Sequence, residues 1–368
     1  MNVLLYGRPT EGYPFVGNIT NNISDWERTT RAIGGYWSAS FSLHRASRAE
    51  MIDFYNRYLG YMVQERDSGL ITWEGIITEM RLVLDDVEYV RTLDPEWFHN
   101  RVAVIYSSGP LRKTIPFSED TESLLMYGSV EYIVSLAGAT DAAAAAMRDR
   151  HLKEFAWPRS RMVGSLPFGY WTRKTSGLHV MCLGFWSTLN WKYHTTLNED
   201  TASNTITALV NAAAYVRMGN ITSNSLSVRT DGDPRPIRLG DAIADVIEMG
   251  DASGNIWRGG VYAERLFNYE PAPTDVEYEV RNGVLYHYSG TRVRLAQVLP
   301  GKLVHNANAP MGWPAPGTSD VFHDPKVNYI EAVTFRAPDE LSLQLYGKEP
   351  TTDTLRLQIA RGARNDQD

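Results

Sequence analysis

At 368 residues and 43% hydrophobic side chains, the chain is long enough for roughly two to three domains of ~150 residues, each with a real core. Its 43 acidic and 36 basic residues give a formal charge of −7 without any basic block, which argues against a grip on nucleic-acid phosphates. No apolar run reaches ~18 residues, residues 1–15 lack the pattern of a secretory signal, and the single cysteine, Cys182, has no internal partner; a membrane span, secretion and a disulfide framework are not expected.

Residues 1–90 read as a small β domain with one helix. Residues 29–43 begin polar, pass Gly34-Gly35, and then alternate Tyr36, Ser38, Ser40 against Trp37, Ala39, Phe41, the pattern of a half-buried strand. A helix should follow from Ser47, with Glu50 completing a capping box and Met51, Phe54, Tyr55, Tyr58 and Leu59 forming one apolar stripe up to Gly60. After a turn ending at Gly69, residues 70–84 change phase. Ile71, Trp73 and Ile77 are odd, whereas Ile76, Met80, Leu82 and Leu84 are even. A β-bulge at Gly75 would swap the inward parity and bend the strand, as at a barrel corner. A strand buried on both faces is the other reading, disfavoured by Thr72, Glu74 and Thr78 within the run.

Residues 91–168 suggest an α+β module. A strand is expected at 100–107, a segment capped by Ser118, a second strand at 130–136, and a helix from Thr140 to Trp157 that stops before Pro158. Residues 170–197 return to strands. Residues 199–255 read as mostly helical, with Ala208, Leu209, Ala212, Ala213 and Val216 on one face and Leu239, Ile243, Val246 and Ile247 on another. Loops are expected at 231–234, 300–301 and 310–316. Asn282-Gly283 is a strong hairpin signal, with further strands at 292–298, 302–305 and 329–335. The resulting expectation is an α+β, β-rich chain. It has a first β-barrel at 1–90, the α+β module, and a second barrel built from 169–198 and 256–346. The segment 199–255 is inserted in that second barrel, and a polar tail covers 347–368.

Few residues suggest chemistry. The eight histidines include no close ligand pair. Asp231-x-Asp233 resembles the start of a calcium loop, but Arg235 and Arg238 stand where oxygen donors or a neutral turn are needed and Ala242 replaces the closing glutamate. Phosphate-cradling glycine loops and Gly-x-Ser-x-Gly are absent. Cys182 lies in an apolar strand and reads as a buried structural thiol. Glu74, Glu79, Asp85 and Asp86 offer carboxylate pairs, as any chain this acidic does. The 10 tryptophans and 20 tyrosines suit cores first, then subunit interfaces or sugar binding. No catalytic, cofactor or metal residue is expected.

In order, GLITWEGIITEM with Trp73, Gly75 and Ile77, NRVAVIYSS, ESLLMYG, an alanine-rich helix ending WPRSR, GLHVMCLGFWSTLNWKY and LPGKLVH resemble the hub proteins of bacteriophage tail tips and baseplates. The helical segment has no counterpart there, and no lysozyme module is attached. The resemblance implies a non-enzymatic homotrimer in which two barrels per chain form a pseudo-sixfold ring. That ring would adapt a sixfold tail tube to a threefold spike or fibre around the DNA channel. It implies a virion location after synthesis in the host cytoplasm. The implied partners are the distal tail or tail-tube ring protein, the tape-measure protein and the central fibre or spike, without specific nucleic-acid binding. Gly69, Trp73, Gly75, Asn282 and Gly283 would then be structural residues. Two other readings stand beside it: a distal tail or tail-tube ring protein, and a carbohydrate-binding or glycoside-hydrolysing β protein.

Overall fold

A computed structural model describes residues 1–85, 87–108, 111–165, 176–194, 199–228, 236–306, 327–345 and 354–355. The fold is β-rich, dominated by one large curled sheet that forms a half-barrel. In chain order this sheet begins with β1 (Asn2–Tyr6), β2 (Phe15–Asn18), β3 (Ile23–Arg31) and β4 (Ile33–Leu43). Helix α1 (Arg48–Arg57) follows, then β5 (Met62–Asp67), β6 (Leu70–Leu84) and β7 (Val87–Thr92). Residues 29–43, expected as one strand, span a hairpin instead. β3 and β4 pair antiparallel, and Ala32 sits in the turn, 2% exposed, with its N–H on the Glu331 carbonyl. The apolar alternation begins only after Gly35, so it carries no sign of the turn at Ala32.

α1 starts as expected, with the Ser47 and Glu50 side chains exchanging bonds with each other's backbone N–H. Its buried residues Met51, Phe54 and Tyr55 fill the concave face of the sheet, against Phe41, Trp26 and Trp73. Four aromatic rings form three contacts at centroid separations of 5.9–6.4 Å: Trp26–Trp73, Trp26–Phe41 and Phe41–Phe54.

The α+β module contains β8 (Arg101–Ser108), β9 (Leu111–Glu119), α2 (Thr121–Tyr127), β10 (Glu131–Leu136) and α3 (Asp141–Phe155). β8 is central, antiparallel to β9 and parallel to β10. Thr140 caps α3 through the Ala143 N–H, as expected. The cap of α2 is Asp120 rather than Ser118, because Ser118 lies within β9, paired with Val102. Buried Asn100 braces this module internally, its side-chain amide donating to the Gly128 carbonyl at 2.8 Å and its carbonyl accepting the Val130 N–H at 2.9 Å, while Val130 itself packs in the main core.

The chain then returns to the large sheet with β11 (Arg161–Ser165) on β7 and β12 (Ser176–Gly184) between β4 and β6. The expected assignment of 169–198 to a second barrel is therefore corrected for β12, which is an interior strand of the first unit. Its apolar side chains Leu178, Val180 and Cys182 complete the same core as Phe41 and Met80. A 3-10 helix, Phe185–Trp191, follows where strand was expected.

Next come β13 (Tyr193–His194), β14 (Asp200–Thr201), α4 (Ala202–Asn211), β15 (Arg217–Ile221), β16 (Ser227–Val228), β17 (Ile237–Arg238), α5 (Leu239–Glu248), β18 (Trp257–Val261) and β19 (Leu266–Pro271). Ile206, Leu209, Ile243, Val246 and Ile247 bury into the first core. Ala208 and Ala212, expected inside, are exposed, because α4 turns the stripe of Ala202, Thr205, Ile206, Leu209 and Val210 inward instead. The segment 199–255 is thus two ten-residue helices with short bridging strands, packed on the first unit. β18 also joins this unit, parallel to the start of β4.

A second apolar cluster lies in the C-terminal strands. These are β20 (Val276–Arg281), β21 (Val284–His287), β22 (Leu303–Asn306), β23 (Val327–Arg336), β24 (Glu340–Leu345) and β25 (Thr354–Leu355). Tyr278, Val280, Leu285, Val304, Val333 and Phe335 belong to its core. Residues 292–298 are not a strand: Leu295–Gln297 is a 3-10 turn. The expected loops at 231–234 and 310–316, and Asp86, lie outside the described residues.

Candidate functional site

With no cluster of chemistry-bearing residues suggested by sequence, the structural feature of most consequence is the junction between the two β units. β23 makes it. Its first residues pair with β22, and Ala332–Arg336 pair with Arg31–Glu27 of β3, so one strand belongs to both units. Around this seam the segment from Arg294 to Gly301 is strapped to the first unit at three points. Arg28, fully buried on β3, donates to the Ala296 carbonyl and to Glu65 of β5. Asp67, at the end of β5, accepts from Gln297 at 3.0 Å and lies 3.7 Å from Arg294 and 3.8 Å from the N-terminal amine. Arg258 of β18 donates to the Gly301 carbonyl and pairs with Glu270 at 2.8 Å.

The Arg28–Glu65 pair is the centre of this junction. Both side chains are 0% exposed, and the Arg28 guanidinium also lies 5.2 Å from the Phe335 ring of the second core. An ion pair taken out of water gains little net stability, but loss of one partner strands the other charge. Arg28 Nη1, Glu65 Oε1, Thr30 Oγ1 and the indole nitrogens of Trp26 and Trp73 have no protein hydrogen-bond partner among the described residues. These residues share the inward face of β3, β5 and β6. The interior of the first unit is therefore unusually polar beside the junction.

A second constrained point borders the junction. Glu264 and Arg265 both have left-handed backbones, φ 62° and 64°, which cost non-glycine residues roughly 1–3 kcal/mol each. Buried Glu74 of β6 holds the turn, accepting the Arg265 N–H at 2.6 Å and a Gln64 amide N–H at 3.1 Å. The Arg265 guanidinium stacks 4.2 Å from the Tyr13 ring. Burial raises the Glu74 pKa above the ordinary carboxylate value, against the lowering effect of these donors. A cleft of about 600 Å³ opens here between the units, bordered by Tyr262, Glu264 and Gln297.

The residues singled out by sequence are placed as follows. Ser68 and Gly69, φ 50° and 87°, form the two-residue turn between β5 and β6, and Asn282 and Gly283, φ 51° and 75°, form that between β20 and β21. Trp73 is fully buried against Trp26. Gly75 is not the bulge: it pairs in regular register with Val63 and Gly184. The register shifts fall at Thr72, opposite Glu65 and Arg66, and at Thr78, opposite Met181 and Cys182. The phase change at Thr78 brings Trp73, Ile77, Met80 and Leu82 into one core. Ile76 is buried as well, so the strand is covered on both faces from Thr72 to Thr78. Glycine is needed at 75 for a different reason, because a Cβ there would strike the Leu183 carbonyl and the Trp73 ring.

The candidate carboxylates do not converge. Glu74 holds the strained turn, Glu79 pairs with Arg81 at 2.7 Å, and Asp85 pairs with Arg48 at 2.8 Å. Burial pushes the Cys182 thiol pKa up. Two histidines distant in sequence do meet: His99 Nε2 lies 3.3 Å from His151 Nδ1, and His99 stacks on Tyr132 with ring centroids 4.2 Å apart. Burial lowers the pKa of His99 to about 4 and lowers that of His151. Among the described residues no group of three His, Cys, Asp or Glu side chains is arranged to hold a metal, and no helix is long and apolar enough to cross a membrane.

No protein-family model matches the chain, and no curated protein matches it. Arg28 and Glu65 went unread in the sequence, although one signal was present. In Trp26-Glu27-Arg28-Thr29-Thr30 the inward register of a strand places a cation between a tryptophan and a β-branched residue.

Proposed function

We propose that this chain is a structural ring subunit, the hub of a phage tail tip or baseplate. Three copies would present six β units around a channel and adapt a sixfold tail tube to a threefold spike or fibre. One observation carries the reading: two β cores are joined by a shared strand, β23, and by buried Arg28, which pairs with Glu65 inside the first unit and donates to the Ala296 carbonyl of the second. A subunit that contributes two ring positions needs this property. Relative rotation of its halves would open the ring, whereas an enzyme would need converging reactive groups. The two β units are read as the two barrels that the ordered sequence segments suggest. The partners are two further copies of the chain, a distal tail or tail-tube ring protein on one face, the tape-measure protein, and a central fibre or spike on the other, within the virion tail.

Native mass spectrometry combined with negative-stain imaging tests this. The expected result is a trimer whose projections show a ring of six lobes. A chain that stays monomeric at every concentration would defeat the proposal, and a ring of six chains would favour the distal or tail-tube ring protein.

A further inference from the structure

We propose that the groove beside β2 receives the extended C-terminal segment 356–361 of a second copy of this chain. The proposal rests on the ring reading above and names the contact that would join neighbouring subunits.

The receiving site comes from the way the curled sheet ends. β2 pairs with β1 on one side and, among the described residues, with no strand on the other. Phe15 and Val16 on this open edge are 62% and 45% exposed. Next to it lies a groove of about 590 Å³ between β2 and the start of α1, floored by Leu5, Leu43 and Phe54 and bordered by Val16. Strand addition uses this combination: the edge's free N–H and C=O groups hold the incoming backbone, and a neighbouring pocket takes alternate side chains. Glu50 and Asp53 of α1 border the groove, with Arg45 at the β4 side.

The occupant is argued from the chain itself. Residues 354–361 read Thr-Leu-Arg-Leu-Gln-Ile-Ala-Arg, a period of two that sets Leu355, Leu357 and Ile359 against Arg356 and Gln358. The segment 356–364 carries Arg356, Arg361 and Arg364 and no acid, and would meet Glu50, which caps α1 through the Ser47 N–H, and Asp53, which pairs with Arg57 at 3.2 Å. Thr354 and Leu355, immediately before this segment, pair with β24 as β25. The 13 residues beyond Leu355 can reach about 43 Å when extended. The ladder runs β2, β1, β5, β6, β12, β4, β3, β23, β24, β25, which places donor and acceptor at its opposite ends. Contact between unlike ends of successive copies is heterologous, and such contacts give a ring where the rotation between copies closes and a filament where it does not.

The test uses the full-length chain with Val16→Cys and Ile359→Cys together; Cys182 is 0% exposed and does not compete. Mild oxidation should give covalent species of two or more chains, while each single variant gives none. A cross-link confined within one chain, or none, overturns the proposal. In a second arm, Leu357→Asp with Ile359→Asp should weaken association at least tenfold. A labelled peptide of residues 353–364 should then bind that variant, and adding Val16→Glu should abolish the binding. If the wild-type chain is a trimer but the double-cysteine variant forms no inter-chain cross-link and the double-aspartate variant associates as well as wild type, the docking site falls and the ring stands. If the wild-type chain is only monomeric and the double-cysteine variant forms no cross-link, both fall.

Discussion

The first β unit closes its curled sheet over Trp26, Phe41 and Trp73 and covers it with α1, α4, α5 and the 3-10 helix Phe185–Trp191. The C-terminal unit has only strands and short turns among its described residues, and a smaller cluster of mostly branched aliphatic side chains. The larger unit buries its rings beneath helices. The smaller one buries Tyr278 and Phe335 among strands alone, and Phe335 rests against Arg28 of the other unit. The contrast predicts that the second unit leans on the junction more than the first does.

Several substitutions would break or sharpen this contrast. Glu65→Ala should have the largest effect, about 3–5 kcal/mol, because it leaves Arg28 buried without its partner. Denaturant unfolding would measure the loss, and amide exchange should rise in both β3 and β23. Replacing the pair together, Arg28→Met with Glu65→Leu, should restore most of the stability while releasing Ala296. Trp73→Ala should cost a comparable ~3–5 kcal/mol through the cavity it leaves. Its exchange signature should stay within the first unit, and if β20–β24 loosen equally the two cores are not separable.

Gly75→Ala should cost about 1–3 kcal/mol by overpacking against Trp73 and the Leu183 carbonyl. Its absence from the bulge predicts that the Thr78 register survives, which cross-strand contacts in a variant structure would check. The α+β module should be acid-labile. His99 titrates at about 4 in the folded chain against an ordinary 6.5, and His151 is lowered as well, so below about pH 6.5 the unfolded chain takes up protons that the folded one refuses. Stability is complete above that range and falls as the pH drops towards about 4. His99→Phe should flatten the dependence in a pH series of thermal melts. The smallest effect belongs to the hairpin: Gly283→Ala, at φ 75°, should cost about 1 kcal/mol and stay local to β20–β21.

Features set by neighbouring residues were legible in the sequence. The Ser47–Glu50 capping box, the Thr140 cap of α3, the left-handed turns at Gly69 and Asn282-Gly283, and the apolar face of α5 each depend on a few adjacent side chains and their backbone preferences. The phase change in β6 was legible too, but not its cause. Gly75 draws attention as a glycine, whereas the inserted residue is Thr78, fixed by how β12 docks. Likewise β12 reads equally well as a strand of either unit, and only the complementarity of Leu178, Val180 and Cys182 to the first core decides. The Arg28–Glu65 junction joins residues 37 apart and then reaches Ala296, 268 residues further along from Arg28. Local propensity fixes which segments become strands and where they turn. Which strands become neighbours, and which charges must then share a dry interior, is settled by long-range packing that no single window of sequence contains.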